Sequence, residues 1–369
     1  MLKLILQGHT KFKFLSAMLR WHARYYLRGR GWPVSAGVYL TDVCNSRCIM
    51  CDIWKNRDKH VYPRAAQERA VDALAKMGCY YYSISGGEPT LVEDLPGRLA
   101  YAAARIPYVH LVTNGFTMEE SLARALAASG VKEISISIDG TEDFHNAVRG
   151  VDHAYRKAWR ALELLRTHAP RVTVVINSLL TPFNLESLRT LSKRLGVFKE
   201  KVFHKLLPYS AHALFEKKDL NDFSIFGQGA DPVEMDRFLE EAARDPRIVN
   251  SVVFLKKAKL YFRGEADLLS EQKVCSYPYH AMEFDSRGCG YSCSTGMNFK
   301  GGIPSEEDLE VALRSPEYRQ IQRGLEKCTG CRGVMPLCYY EPRLNFPITN
   351  FFGSRRAVEK EERQRKGAL

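Results

Sequence analysis

Two hydrophobic periods alternate along the chain. Short runs in which apolar residues recur at every second position, near 36–41, 80–85, 108–113, 133–139, 172–178 and 201–207, read as β-strands. The stretches between them, near 64–77, 94–105, 118–129, 153–168 and 184–195, carry apolar residues three and four apart and read as amphipathic helices. Strand and helix in regular alternation predict a parallel sheet with helical crossovers, an α/β fold. Six such units are too few to close an ordinary eight-unit barrel, so an open, partial barrel is expected. Its ligands belong at the carboxyl ends of the strands.

Beyond the sixth strand, a segment over 209–274 contains a predicted helix from Pro232 to Ala243, with Asp231 as N-cap and Glu234 placed for a capping box, and a second from Ser251 to Phe262. It reads as a connector that could also shape a substrate pocket. Ahead of the first strand, residues 1–35 read as a basic amphipathic helical segment. Lys13, Arg20, Arg24 and Arg28 share one helical face, with Phe14, Leu15, Met18, Leu19, Trp21, Tyr25 and Tyr26 around the rest.

The net charge of +12 is unevenly spread, since residues 1–41 hold seven Lys or Arg and no acid, and the tail over 346–369 is also basic. Two readings of the N-terminal helix stay open. In one it packs its apolar face on the barrel and leaves the arginines in water. In the other it rests peripherally on an anionic membrane surface. Nucleic acid is disfavoured, because no recognition motif accompanies the basic residues.

A chain of 369 residues, 45% hydrophobic, can bury a large core and is expected to hold two domains. It lacks an apolar run long enough to span a bilayer, so a transmembrane helix is not expected. No secretory signal is evident, and ten cysteines fit a reducing, cytoplasmic compartment.

The chemistry concentrates in Cys44-Asn-Ser-Arg-Cys48-Ile-Met-Cys51, directly after the first strand. Three thiolates on one loop can hold three irons of a cubane cluster and leave the fourth open. Zinc is the alternative, but zinc ribbons complete a tetrahedron with a second ligand pair, and no His follows at ligand spacing before His60.

That spacing resembles the radical S-adenosylmethionine (radical SAM) superfamily, and further motifs follow in the superfamily's order. Ser85-Gly86-Gly87-Glu88-Pro89 after the second strand resembles the motif whose small residues let backbone approach the cofactor's ammonium group. Thr113-Asn114-Gly115 ends the third strand, and Ser135-Ile136-Ser137-Ile138-Asp139-Gly140 ends the fourth. The resemblance implies cofactor contacts from Gly86, Gly87, Glu88, Asn114, Ser137 and Asp139, and from Asn177 on the fifth strand. His145 and Arg149 resemble the element that brings a guanidinium to the cofactor carboxylate. Taken singly, Ser137 or Asn177 also reads as an ordinary strand-end residue needing a partner. One position departs from the pattern: Met50 stands where the superfamily usually has an aromatic residue, and its backbone could still contact adenine.

Of the remaining cysteines, Cys79 reads as a small buried apolar residue. Cys275, Gly288-x4-Cys293 and Cys328-Thr-Gly-Cys331 resemble the auxiliary-cluster region called SPASM or its shorter form, Twitch. The resemblance implies a second 4Fe-4S cluster on Cys275, Cys293, Cys328 and Cys331, with Cys289 or Cys338 as replacement ligands. Pro342 stands where a further cysteine is expected, which argues against a third cluster. Zinc on the same four thiolates stays open.

The resemblance thus implies a partial (β/α)6 TIM-like barrel over 36–208, with a small iron-sulfur domain over 275–345. It implies a SAM-binding 4Fe-4S cluster, an auxiliary 4Fe-4S cluster and S-adenosylmethionine as cofactors, with an acidic electron donor such as flavodoxin or ferredoxin as partner. Reductive cleavage would give methionine and a 5′-deoxyadenosyl radical that abstracts a hydrogen from an unidentified substrate: a peptide, a lipid or another small molecule. An iron-sulfur electron carrier or redox sensor without cofactor cleavage is the alternative.

Overall fold

The computed structural model describes residues 11–28, 31–198, 202–209, 220–264, 272, 274–293, 302–329, 335, 341–342 and 346–366. Helix α1 (Lys11–Arg28) precedes six strands: β1 (Ser35–Tyr39), β2 (Tyr81–Ser85), β3 (Tyr108–Thr113), β4 (Glu133–Ser137), β5 (Thr173–Leu180) and β6 (Val202–Pro208). Each pairs in parallel with the next, so every connection must cross over. The crossovers carry α2 (Arg64–Met77), α3 (Leu95–Ala103), α4 (Glu120–Ala128), the short α5 (Glu142–Arg149), α6 (Ala154–His168) and α7 (Leu185–Leu195).

The strands are hydrophobic on the face the helices cover. Val38, Ile84, Leu111, Ile134, Ile136, Val174 and Ile176 pack with Leu74, Leu99, Leu126 and Leu162 in one core. The opposite face, which lines the lumen of the curved sheet, is polar. Ser83 and Ser135 bond the two ring nitrogens of His110, at 2.8 Å each, across β2, β3 and β4.

Two further strands extend the sheet beyond the six units. β7 (Ala281–Phe284) lies parallel to β1, with Ser35 opposite Ala281, and β8 (Gly290–Tyr291) returns antiparallel on β7. The order is β6-β5-β4-β3-β2-β1-β7-β8, a mostly parallel sheet that does not close. A strand from the segment expected to form the iron-sulfur domain is thus built into the barrel sheet.

On the other edge, Ile248 forms a parallel bridge with His204 of β6. The flanking helices α8 (Pro232–Arg244) and α9 (Val252–Phe262) cover that edge, burying Met235, Phe238, Leu239 and Phe254 with Leu180 and Leu206. Asp231 caps α8 as the sequence predicts, its carboxylate accepting from Glu234 N at 2.8 Å. The segment read as a connector therefore has an apolar core shared with the barrel. Helices α10 (Leu309–Arg314), α11 (Pro316–Glu326) and α12 (Ile348–Lys366) follow. Among the described residues no helix is long and apolar enough to cross a membrane.

Candidate iron-sulfur and cofactor site

Cys44, Cys48 and Cys51 are free thiols on the loop that leaves the carboxyl end of β1. The loop is pinned from several sides. From the last turn of α5, Arg149 O accepts from Arg47 N at 3.0 Å and Val148 O from Ile49 N at 2.9 Å. The helix ends on Gly150 at φ +62°, where a Cβ would stand 2.5 Å from Arg47 O, so only glycine lets loop and helix meet this closely. From the β3 tip, Asn114 Nδ2 donates to Asn45 Oδ1 at 2.7 Å, and Trp54 Nε1 donates to Cys48 O at 3.3 Å.

Gly86 and Gly87 turn the β2 tip against the same loop. Gly87 N donates to Thr41 O at 2.7 Å and Glu88 N to Val43 O at 2.8 Å, and a Cβ on Gly87 would stand 2.2 Å from Val43 O. The glycines therefore serve a close backbone approach to the residues leading into Cys44, a demand the sequence motif does not reveal. The Glu88 carboxylate is buried and braces the tips of β2 and β3. It accepts from Thr90 N, Thr90 Oγ1, Thr113 Oγ1 and Asn114 N at 2.6–3.0 Å.

Asp139, at the β4 tip, is fully buried and receives Arg149 in a two-point pair, Nε to Oδ2 at 2.7 Å and Nη2 to Oδ1 at 3.0 Å. Leu179 N donates to Oδ1 at 2.9 Å, and Asp139 N donates to His145 Nδ1 at 3.1 Å. Burial alone would raise the Asp139 pKa. Arg149 and His145 reverse that and hold the carboxyl well below the usual carboxylate range. The remaining guanidinium nitrogen, Nη1, lies 3.8 Å from Cys48 Sγ. Asp139 thus orients the arginine that faces the cysteine loop.

Ser137 and Asn177 are directly opposite each other in the β4–β5 register, and Asn177 is opposite Lys205 in β5–β6. With period-two alternation these three share the lumen face. Asn177 Oδ1 is buried with no hydrogen-bond partner among the described residues. Deeper in the lumen, Glu133 receives Tyr108 OH at 2.7 Å and lies 3.8 Å from Lys205 Nζ. Burial holds His110 at about 4, so at neutral pH Lys205 rather than His110 is the cation beside Glu133 among the described residues.

The residues fit a cluster and its cofactor. Burial pushes the Cys44 and Cys51 thiols up to about 11 and about 12, so metal binding must displace their protons. Among the described residues no three His, Cys, Asp or Glu side chains close around a single ion. A cubane cluster makes no such demand, because each thiolate meets a different iron. The orphaned Asn177 oxygen, level with Ser137, is the kind of buried acceptor a ligand hydroxyl would satisfy.

In the C-terminal region Cys275, Cys293 and Cys328 come together in one packed cluster with Tyr277, Ala281, Ile321 and Leu325. Cys331 and Cys338 lie outside the described residues. Cys289 is placed elsewhere, in the β7–β8 turn, where its N–H donates to Asp285 Oδ1 at 2.9 Å. Cys79 is buried, as expected.

Sequence reasoning did not single out Asn45, Thr90, Thr113 or Lys205. Asn45 stands between two flagged cysteines but matches no ligand pattern. Lys205 carried the better signal: a lone cation among the inward positions of β6, between Phe203 and Leu207.

Residues 38–195 match the profile described as the Radical SAM superfamily. The chain is 25% identical over 247 residues to an Fe-coproporphyrin III synthase of Methanosarcina barkeri, covering 66% of this chain and 57% of that protein. It is 32% identical over 174 residues to the mycofactocin maturase MftC of Mycobacterium tuberculosis, covering 46% and 44%. The chain thus spans about half the length of these curated relatives. In fold it is similar to Streptococcus suis SuiB bound to S-adenosylmethionine, with a TM-score of 0.63 and 19% identity over 85% of this chain and 74% of that one.

Proposed function

We propose, from the match of residues 38–195 to the Radical SAM profile, that the chain is a radical SAM enzyme whose Cys44, Cys48 and Cys51 bind a 4Fe-4S cluster with one open iron. The observation that carries this reading is the convergence on one sheet end of the three-thiol loop, the Arg149 guanidinium and the unpartnered Asn177 oxygen. When bound, the cluster supplies an electron to S-adenosylmethionine, whose cleavage gives methionine and a 5′-deoxyadenosyl radical that takes a hydrogen from substrate.

The protein's own work is placement. Gly86 and Gly87 bring β2 backbone to the cofactor's ammonium group, while Glu88 keeps the β2 and β3 tips in register. Asn114 steadies the cysteine loop through Asn45 and borders the cofactor. Ser137 and Asn177 offer hydroxyl and amide to the ribose. Asp139 holds Arg149 so that its free edge serves the cluster side and the cofactor carboxylate.

Cys275, Cys293, Cys328 and Cys331 are the proposed ligands of an auxiliary 4Fe-4S cluster, which would either relay electrons inward or accept one from the substrate radical; the latter would make the overall reaction an oxidoreduction. Electrons come from a reduced flavodoxin or ferredoxin. The proposed division of labour is a barrel over 36–208, a connector over 209–274, an auxiliary domain over 275–345 and basic ends over 1–35 and 346–369. The inner sheet face, with Ser83, Ser137, Asn177 and Lys205, suits a substrate that presents hydrogen-bonding groups. Relatives named as a mycofactocin maturase and an Fe-coproporphyrin III synthase keep several such classes in play.

The test is anaerobic reconstitution followed by dithionite and S-adenosylmethionine, with 5′-deoxyadenosine measured for wild type and Cys48→Ala. Deoxyadenosine from wild type alone supports the reading. An iron-loaded wild type that releases none under varied reductants returns the protein to the electron-carrier class.

A further inference from the structure

Helix α1 is apolar on two faces, and only one of them is covered. Phe14, Ala17 and Trp21 are buried, with Met18 and Tyr25 beside them, against Tyr80, Tyr108, Val34 and Tyr279. Trp21 Nε1 donates to Tyr279 O at 2.8 Å. Tyr80 and Val34 immediately precede β2 and β1, Tyr279 lies two residues before β7, and Tyr108 opens β3, so the helix sits at the amino end of the barrel. The cysteine loop is at the other end.

The opposite stripe lies in water. Phe12, Leu15, Leu19 and Tyr26 follow one another at helical spacing and are 73%, 47%, 73% and 51% exposed, with Leu27 next to them at 84%. A solvated face would carry the charges there. Instead Lys13 and Arg20 stand at the flank of the stripe and Lys11 on its other side, and no acid occurs in the first 41 residues.

Helix α12 continues the surface. Tyr26 OH bonds Thr349 Oγ1 at 3.2 Å, and Ile348 N donates to His22 Nε2 at 3.1 Å. This contact sets Ile348 and Phe352, 49% and 51% exposed, beside the stripe, followed by exposed Arg355 and Arg356.

We propose that this surface, the outer stripe of α1 with the start of α12, docks on an anionic membrane surface. The apolar side chains would enter the headgroup–acyl boundary and the flanking cations would meet lipid phosphates. Charge decides among the possible occupants. A second copy would bring like charge against like charge. An acidic electron donor would gain nothing from the apolar stripe and would sit at the end of the barrel away from the cysteine loop. The same geometry makes the bilayer a tether: the carboxyl ends of the strands point away from it, so substrate does not pass straight from lipid into the lumen.

Flotation of the full-length protein with vesicles tests this directly, using equal parts phosphatidylglycerol and phosphatidylcholine against phosphatidylcholine alone. Wild type should float with the anionic vesicles only. Leu15→Ser/Leu19→Ser, at exposed positions that leave the fold intact by circular dichroism, should lose binding by about tenfold or more. Wild type that floats with neither vesicle overturns the proposal. So does flotation unaffected by the double substitution. Self-association that the double substitution abolishes, in protein that ignores vesicles, assigns the stripe to a second copy and overturns it as well.

Discussion

Asp139→Asn removes the charge of a fully buried carboxylate and leaves its shape almost unchanged. Arg149, only 12% exposed at its side chain, then keeps its guanidinium beside an amide that cannot neutralise it. Only one of the two contacts, 2.7 and 3.0 Å, can survive, because the amide nitrogen cannot accept from the guanidinium, and Leu179 N at 2.9 Å competes for the one remaining amide oxygen. Breaking one side of a buried, hydrogen-bonded pair costs about 3–5 kcal/mol. Urea unfolding of the cluster-free protein at pH 7.5 reads this loss. Arg149→Met should be similarly harmful alone, and the double variant should recover a coupling of about 2 kcal/mol or more in the cycle. A single-variant loss below about 1 kcal/mol, or simple additivity of the two, would refute the claim that Asp139 and Arg149 act as one unit.

Gly87→Ala drives a Cβ to within 2.2 Å of Val43 O, a rigid backbone atom; it should cost about 1–3 kcal/mol and lower iron uptake at the first cluster, read by unfolding and by iron assay. Cys328→Ser should remove about four of about eight irons while deoxyadenosine formation survives, because the auxiliary ligands are separate from the β1 loop; loss of all iron would contradict separate sites. His204 sits buried between Ser178 and Ser192, and burial lowers it to about 4. Its folded pKa is depressed, so the stabilisation is complete above the unfolded value near 6.5 and drains away as pH falls toward 4. Between pH 7.5 and 5, wild type should lose about 2 kcal/mol more than His204→Gln by urea unfolding; equal losses would rule out a buried neutral His204.

The six barrel strands and their helices were legible because each buries one face locally, which leaves a period in the sequence. α2 falls on 64–77, and α8 starts at its predicted cap. β7 was not legible. Its four residues gain their identity from pairing with β1, over two hundred positions earlier, and no local pattern records such a contact. The cysteine loop was legible by spacing, but the roles of its neighbours were not. Spacing cannot show that Glu88 is consumed in bracing strand tips or that Asn114 bonds Asn45. Spacing names Cys289 as a replacement ligand but cannot show that it lies in the β7–β8 turn beside Asp285. The sequence of helix α1 leaves open whether its apolar face packs on the barrel or rests on an anionic membrane surface. Its buried face does pack on the barrel, and its apolar residues divide between that face and an exposed one.

The most direct test of the central claim isolates the β1-loop cluster. In a Cys275→Ala/Cys328→Ala protein reconstituted with iron and sulfide, the dithionite-reduced cluster gives an electron paramagnetic resonance spectrum that S-adenosylmethionine should shift, because an open iron binds the cofactor directly. The shift should weaken in Asn177→Ala, whose amide is proposed to hold the ribose. A spectrum indifferent to S-adenosylmethionine at saturating concentration would mean that Cys44, Cys48 and Cys51 hold a closed or purely electron-carrying centre.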